Sequence, residues 1–336
     1  MSIVMTGGGT GGHLAIIKAV KEHLKGEELI YIGSTQGQDK QWFESDEDFT
    51  QKYFFETRGV VNQGALGKIK SLFMLFKATL KAIKLLKKYQ VKVVFSVGGF
   101  SSAATAFAAK ILHIPLVIHE QNAALGSLNK MLKPYATAFI SSYLEESPIK
   151  AYPIKNVFFE NARIRHNVKT IIFLGGSQGA LAINNLALEM ATELQKRGIK
   201  IIHQAGEKNI AKVEEAYKQL NIEAEVFGFT TKLAEYMKKS DLAIARAGAS
   251  TLWELSASAV PTLYIPYPYA ASDHQYFNAQ FLVKKELAWL MREDEIDKEK
   301  VYALLTHNLE KMSQGLMDIV ETEGSQKIAM LLKKMI

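Results

Sequence analysis

Ile3-Val4-Met5-Thr6-Gly7-Gly8-Gly9-Thr10-Gly11-Gly12-His13 is the stretch that decides the fold. A short apolar run enters a turn in which five of six residues are glycine, and a helical pattern follows. Strand, glycine turn and helix start, in that order, bring backbone N–H groups and the positive end of a helix dipole to one point, which suits an anion. Gly7, Gly9 and Gly12 also satisfy G-x-G-x-x-G. The dinucleotide form of that motif calls for an acid at the end of the second strand, to hold ribose hydroxyls. Here that strand ends Tyr31-Ile32-Gly33-Ser34-Thr35, without an acid. A phosphate or sugar-diphosphate loop therefore fits better than a nicotinamide or flavin site.

The pattern occurs again in the second half, where 171–174 runs into Gly175-Gly176-Ser177-Gln178-Gly179-Ala180 and another helical stretch. Around these two anchors, strands are expected at 3–6, 29–32, 93–97, 116–119 and 138–141, and again at 170–174, 200–203, 224–227, 241–245 and 262–265. These are continuous apolar runs, so both sheet faces are covered by helices. Strand–helix alternation implies right-handed crossovers and parallel sheets. The stretch 145–167, with Pro148 and Pro153, lacks periodicity and reads as the linker. The fold class is α/β: two Rossmann-like, doubly wound parallel-sheet domains facing a cleft, with ligands at the carboxyl ends of the strands. The domains are expected at 1–157 and 158–317, with 318–336 as a separate terminal segment.

Length and composition agree with this reading. The 336 residues suit two domains, and 48% hydrophobic with 22% charged residues is ordinary for a globular chain. There is no cysteine, which excludes disulfides, thiolate metal sites and a cysteine nucleophile. No apolar run reaches the ~18 residues that span a bilayer, and the glycines at position 7 come too early for a signal peptide. A cytoplasmic protein is expected. The net charge of +7 lies entirely in the first half, which has nineteen basic and twelve acidic side chains through residue 157. Between Glu56 and Glu120 there are ten Lys or Arg and no acid. Such asymmetry implies an anionic partner.

Other groups could carry chemistry. His13, in the first turn after the loop, stands where a bound anion would be, and its pKa suits a general base for a sugar hydroxyl. Asp46-Glu47-Asp48 matches the D-x-D of some metal-dependent glycosyltransferases, but no apolar strand precedes it and it reads as a solvated turn. The eight histidines give no H-x-x-x-H or H-E-x-x-H, so no protein-held metal and no cofactor is expected. Arg246-Ala-Gly-Ala-Ser-Thr-Leu-Trp-Glu254 reads as a tight turn opening a helix, with Ala249, Ser250 and Thr251 near its start. Glu254, about a turn in, could accept two ribose hydroxyls. Pro266-Tyr-Pro-Tyr-Ala-Ala-Ser-Asp-His-Gln275 is a stiff loop ending in groups able to bond a sugar.

Several of these segments resemble a known family when taken in order: Thr6 to His13, Gly98-Gly99-Phe100-Ser101, His119-Glu120-Gln121-Asn122, Gly175 to Ala180, Arg246 to Thr251 with Glu254, and His274-Gln275-x-x-Asn278-Ala279. Together they are similar to the N-acetylglucosaminyltransferases of peptidoglycan synthesis, over residues 3 to about 290. The resemblance implies a GT-B fold with the terminal helix crossing back onto the first domain. It implies inverting transfer of N-acetylglucosamine from UDP-N-acetylglucosamine to the 4-hydroxyl of the muramoyl sugar of lipid I, giving lipid II.

The residues it implies for the donor are Thr10, Gly11, Gly12, Asn122, Arg163, Ser177, Thr230, Ala249, Ser250, Thr251, Leu252, Trp253, Glu254 and Gln275. Gly7, Gly8, Gly9, Gly98 and Gly99 are implied for the acceptor diphosphate, and His13 for catalysis. The family's linker usually contains Asn-Pro followed by Arg; here it reads Asn161-Ala162-Arg163-Ile164-Arg165, so Arg165 could stand in for Arg163. Another nucleotide-sugar enzyme of the same fold, such as a 2-epimerase, would lack the lipid acceptor. Nucleic acid is not an expected partner, because the basic half lacks interleaved aromatics.

The stretch from Lys68 to Lys88 holds seven lysines and no acid. At ~100° per residue, Lys77, Lys81, Lys84 and Lys88 make one stripe of a helix, with Leu72, Phe73, Phe76, Leu80 and Ile83 together on another side. Phe73 and Phe76 entering acyl chains, with Lys77, Lys81 and Lys84 on anionic headgroups, would make this a peripheral attachment to the cytoplasmic face of the bacterial inner membrane.

Overall fold

The computed structural model describes residues 2–59, 64–176 and 179–336. They form two compact units, Met1–Ile154 with Glu323–Ile336, and Lys155–Thr322.

The first unit runs β1 (Ser2–Thr6), α1 (Gly11–Lys21), β2 (Glu28–Ser34), α2 (Asp39–Phe43), β3 (Gln51–Phe55), α3 (Ala65–Lys88), β4 (Val93–Ser96), α4 (Ala103–Ile111), β5 (Leu116–Glu120), α5 (Ser127–Leu132) and β6 (Ala138–Ser141). Its six strands are all parallel, in the order β3-β2-β1-β4-β5-β6. Residues of β1, β2, β4 and β5 are buried throughout apart from Glu28, as strands covered on both faces must be.

The second unit begins with α6 (Asn156–Glu160), β7 (Thr170–Leu174), α7 (Leu181–Lys196), β8 (Lys200–Gln204), α8 (Ile210–Gln219), β9 (Ala224–Phe227) and α9 (Leu233–Lys239). It continues with β10 (Leu242–Ala245), α10 (Ala249–Ala257), β11 (Thr262–Tyr264), α11 (His274–Val283), β12 (Trp289–Leu290), α12 (Lys298–Leu304) and α13 (Glu310–Ile319). Its sheet order is β12-β11-β10-β7-β8-β9, again all parallel. Counted from its own first strand, this is the same order as the first sheet. The last helix, α14 (Gly324–Lys333), belongs to the first unit, where it packs on α1 and buries Ile328, Ala329 and Leu332.

The reason for the shared order is the crossover rule. Each right-handed βαβ step moves the chain one strand outward, and the return to the centre reverses the direction once. That reversal lies between β1 and β4 in one sheet and between β7 and β10 in the other. Helices leave opposite faces of the sheet there, and a crevice opens at the carboxyl ends.

Two strands were not expected from the sequence, β3 and β12. Both are edges. In β3 the residues Lys52, Tyr53 and Phe54 are only half-buried, so the run carries no continuous apolar pattern. In α3 the expected helix is present, but small residues make its buried side. Ser71, Ala78, Thr79 and Ala82 are covered, with Leu86, and α3 lies along the alanine-rich α4. Small side chains on both helices allow this close approach, and the large apolar residues are left outward.

Candidate active site

The first switch point is built from glycine loops that touch. β1 is fixed at its end by the Thr6 hydroxyl, which donates to the Ile32 carbonyl at 2.6 Å, and by the Val97 N–H, which donates to the Thr6 carbonyl at 3.0 Å. Gly99, after β4, has φ +79°, and a Cβ there would lie 2.6 Å from the Gly8 carbonyl oxygen. Only glycine suits that backbone conformation and that approach. The two loops therefore form one packed surface.

α1 begins at Gly11 with no side-chain cap, so its first N–H groups and the positive end of its dipole point away from the helix body. His13 is half-buried in that first turn. Its Nδ1 lies 2.9 Å from the Thr10 hydroxyl, and the Gln121 side-chain amide approaches Nε2 at 3.2 Å. Gln121 comes from the end of β5. The loop after it, which carries Asn122, is organised by the buried Glu120 carboxylate. Glu120 accepts N–H bonds from Asn122 (3.0 Å) and Gly126 (3.0 Å) and one from the Asn129 side chain (2.9 Å). Asn129 in turn backs Gly98. His119, one residue earlier, is fully buried, and neither ring nitrogen has a hydrogen-bond partner among the described residues. Burial, with the charge of nearby His13, pushes its pKa down to about 3, so it stays neutral.

The second switch point has the same parts in different chemistry. α7 follows Gly179-Ala180 with no side-chain cap, and Ser177 lies outside the described residues. α10 starts at Ala249 after Gly248, also without a side-chain cap. The turn before it is held by Arg246, whose guanidinium donates to the Ile265 and Pro266 carbonyls at 3.1 and 3.0 Å and pairs with Glu293 at 2.6 Å. The buried Asn278 donates to the Ala247 carbonyl at 3.1 Å. Glu254 sits half-buried on α10, and burial pushes its carboxyl up to about 8 despite the opposing effect of Lys155. Gln275 accepts the Tyr267 N–H at 3.0 Å, which leaves its amide N–H₂ as its donor. Thr230, past the end of β9, accepts the Lys232 N–H at 3.0 Å.

Three residues expected at the donor have their side chains engaged within the protein. Leu252 and Trp253 bury their side chains in the core, because α10 must cover its sheet with the face that carries them. Arg163 lies at the amino end of the second sheet. Its guanidinium donates to the carbonyls of Lys238 (2.9 Å) and Ser240 (3.1 Å) and to Asp241 (2.6 Å), just before β10. The glycine loop and α10 lie at the other end of those strands. Arg165, the alternative, is wholly buried and donates to the carbonyls of Met237, Ser240, Ser258 and Ala259, and to that of Arg163. The C-terminal carbonyls of α9 and α10 carry a negative dipole end, which is what draws a guanidinium there.

The Asp46–Asp48 pair also has an internal explanation. Both carboxylates bind the buried Lys21 ammonium, at 2.5 and 2.7 Å. Among the described residues no group of three His, Cys, Asp or Glu is arranged to hold a metal ion.

On α3, Phe73 and Phe76 are 56% and 60% exposed, and Ile69, Leu72 and Leu80 are exposed beside them. Lys77, Lys81 and Lys84 are exposed too, and the Lys77 ammonium lies 4.4 Å from the centre of the Phe73 ring. No helix among the described residues is long and apolar enough to cross a membrane.

Sequence reasoning missed Asp39 and Tyr31, which hold the first glycine loop from below. His119, Glu120, Gln121 and Asn278 stand in segments that carry the family resemblance, but nothing in the sequence gives them individual tasks. Asp39 is the only acid between Glu28 and Glu44, and that isolation in a Gly-Gln-rich turn was the available clue.

Two Rossmann-type units, each with an uncapped helix start at its switch point, define a class of proteins suited to binding phosphate-bearing ligands. Family models narrow this to one group. The N-terminal domain of glycosyltransferase family 28 matches residues 3–141 and its C-terminal domain matches 170–332, and the chain belongs to glycosyltransferase family 28.

It is 77% identical over 333 residues to a protein of Sulfurovum sp. (strain NBC37-1), covering 99% of this chain and 98% of that one. That protein is named UDP-N-acetylglucosamine--N-acetylmuramyl-(pentapeptide) pyrophosphoryl-undecaprenol N-acetylglucosamine transferase. A protein of the same name from Sulfurimonas denitrificans is 51% identical, with 98% and 97% of the two chains covered. The crystal structure of Acinetobacter baumannii MurG superimposes with a TM-score of 0.81 at 26% identity, over 99% of each chain.

Proposed function

We propose that this protein transfers N-acetylglucosamine from UDP-N-acetylglucosamine to the 4-hydroxyl of the muramoyl sugar of lipid I, with inversion, to give lipid II in peptidoglycan synthesis. The observation that carries the reading is the 77% identity, over 99% of the chain, to an enzyme of that name. Inverting transfer is one displacement at the anomeric carbon. The acceptor oxygen forms its bond as the bond to UDP breaks, and the acceptor proton must go to a base.

His13 is the base in this reading. In the tautomer this requires, Nδ1–H donates to the Thr10 hydroxyl, and the acceptor hydroxyl replaces the Gln121 amide N–H₂ at Nε2, which takes the proton. The leaving diphosphate needs positive potential where its charge develops. The α10 start, at Ala249, Ser250 and Thr251, supplies backbone N–H groups and a dipole end for it. Glu254 takes the ribose hydroxyls, and Gln275 bonds the donor sugar. The reading assigns no resident cofactor, and UDP-N-acetylglucosamine is a substrate. The lipid tail of the acceptor stays in the bilayer, so the first unit works at an anionic cytoplasmic membrane surface through the Phe73–Phe76 patch and Lys77, Lys81 and Lys84.

Incubation with UDP-N-acetylglucosamine and a short-chain lipid I analogue should release UDP and form the disaccharide product in equal amounts. Release of UDP with epimerised free sugar, and without need of the lipid, would replace this reading by a 2-epimerase.

A further inference from the structure

Asp39 opens α2, yet its carboxylate turns back into the protein and is 0% exposed. Oδ2 accepts the Gly9 N–H at 2.7 Å, and Oδ1 accepts the Ser34 N–H at 3.0 Å. The Tyr31 hydroxyl lies 3.1 Å from Oδ1 and 2.9 Å from the Gly7 carbonyl, so its one proton is shared between the two ends of the loop's support. Burial, then the charge of Asp39, raises the Tyr31 pKa far above the ordinary phenol range, and the proton stays in place. Gly37, at φ +82°, completes the clamp, since a Cβ there would lie 2.7 Å from the Gly9 Cα. Three donors converge on two carboxylate oxygens, and two of the three belong to residues that fix β2 and its end. The loop Gly7-Gly8-Gly9 is thus tied to the neighbouring strand by an internal anion.

We propose that Asp39 is a positioning residue for the transfer reaction. Its carboxylate sets the path of the glycine loop, and the loop sets the orientation of His13 four residues further on. The inference rests on the reading of His13 as the base. It also revises the expected diphosphate cradle. The Gly9 N–H is already committed to an internal carboxylate, so it is not an open donor for the acceptor's diphosphate. The donors that remain at this loop are those of the uncapped α1 start, at Gly11 and Gly12.

The test is a double-mutant cycle between Asp39 and His13 in the full chain, with UDP-N-acetylglucosamine and a short-chain lipid I analogue. Asp39→Asn keeps the shape but has one acceptor oxygen, so one N–H must face the amide N–H₂. A displacement of about 1 Å in a reacting group costs roughly 10²-fold in rate, so Asp39→Asn should lower kcat by about that factor. The KM for UDP-N-acetylglucosamine should stay within about twofold of wild type. In the His13→Ala background the same change should cost less than about threefold, because the group it positions is gone. The Gly9 amide proton, shifted downfield by its charged acceptor, should move upfield in Asp39→Asn.

An equal penalty in both backgrounds would mean that Asp39 supports the fold or acceptor binding, and would overturn the proposal. So would wild-type kcat in a folded Asp39→Asn protein. Should Asp39→Asn fail to fold, Tyr31→Phe removes one of the three donors and must give the same kcat-selective loss at smaller size; unchanged kcat there is a refutation. Full turnover in His13→Ala alone would remove the base assignment and this proposal with it, an outcome distinct from the preceding ones.

Discussion

The two sheets share a strand order, and each holds one wholly buried histidine, but the two imidazoles live in opposite circumstances. His203 on β8 has both nitrogens engaged, at 3.0 Å from the Asn184 side-chain oxygen and 3.0 Å from the Tyr217 hydroxyl. His119 on β5 has a partner for neither among the described residues. The loops differ in the same sense. Those of the first unit are anchored by buried carboxylates, Asp39 and Glu120, while arginines, Arg246 and Arg165, anchor the turns and helix ends of the second. A region that must accept a proton gains from carboxylates behind it. In the proposed reading, the region that holds the departing diphosphate gains from helix N-termini and from the Arg246 guanidinium that fixes the turn before α10. One topology thus carries two different sets of loop anchors, which is what the proposed division into a proton-accepting and a diphosphate-holding region requires.

The largest effect that would test this division is expected at His13. His13→Ala should reduce turnover by roughly 10²–10⁴-fold while leaving UDP affinity nearly intact. A loss below about tenfold would reduce His13 to an acceptor-positioning group. Next comes the surface of α3. Each lysine near an anionic membrane contributes on the order of 1 kcal/mol. Changing Lys77, Lys81 and Lys84 to Glu should abolish preferential co-sedimentation with anionic over neutral vesicles and leave UDP binding alone. Equal sedimentation of variant and wild type would move the membrane face off this helix.

In the second unit, Glu254→Ala should weaken UDP binding near pH 7, where burial keeps the carboxyl protonated, by roughly 0.5–1.5 kcal/mol per hydrogen bond to the ribose. Unchanged affinity would contradict the ribose assignment.

The smallest expected effects are in pH. Glu254 titrates at about 8 in the fold against 4.5 ordinarily. Between those values the unfolded chain has released a proton that the folded chain retains, so stability falls as pH rises through that window. Glu254→Gln should flatten that slope in thermal melts. The histidines act in the opposite direction. The pKa of His119 is lowered to about 3 and that of His203 to about 4, against 6.5. Their contribution is complete above about 6.5 and is lost as pH falls toward those values. Melts between pH 7 and 4 should show the loss in wild type, and it should be smaller in His203→Gln.

Much of the fold could be read from residue order. Continuous apolar runs such as Ile3-Val4-Met5 and Ile171-Ile172-Phe173 have one physical explanation, a strand covered on both faces, and the glycines that follow have one use. Edges are harder. In β3 the residues Gln51-Lys52-Tyr53 serve a half-covered strand, and half-covered strands tolerate polar residues in no fixed rhythm. The helix starts of the candidate site were legible where a local turn defined them, as before His13 and at Ala249. The candidate site was not legible where its parts come from distant segments. Gly9 and Asp39 meet across 30 residues, and the contact follows from sheet order. Arg163 shows the converse: motif resemblance suggests a donor contact, while the carbonyls ending α9, 75 residues away, claim the guanidinium.

The return of α14 to the first unit has a consequence during synthesis. Gly324 fits so closely against Ala151 and Tyr152 that a Cβ would lie 2.5 Å from a carbonyl oxygen, and α14 covers α1. The first unit is therefore incomplete until residues 323–336 leave the ribosome. About 170 residues of the second unit emerge in between, which at ~5–20 residues per second takes roughly 10–30 s. Through that interval the apolar side of α1 that α14 covers has no permanent cover. A nascent chain stalled before residue 323 should accordingly be protease-sensitive in its first 154 residues while its second unit is already resistant, which reverses the usual amino-first order of domain folding.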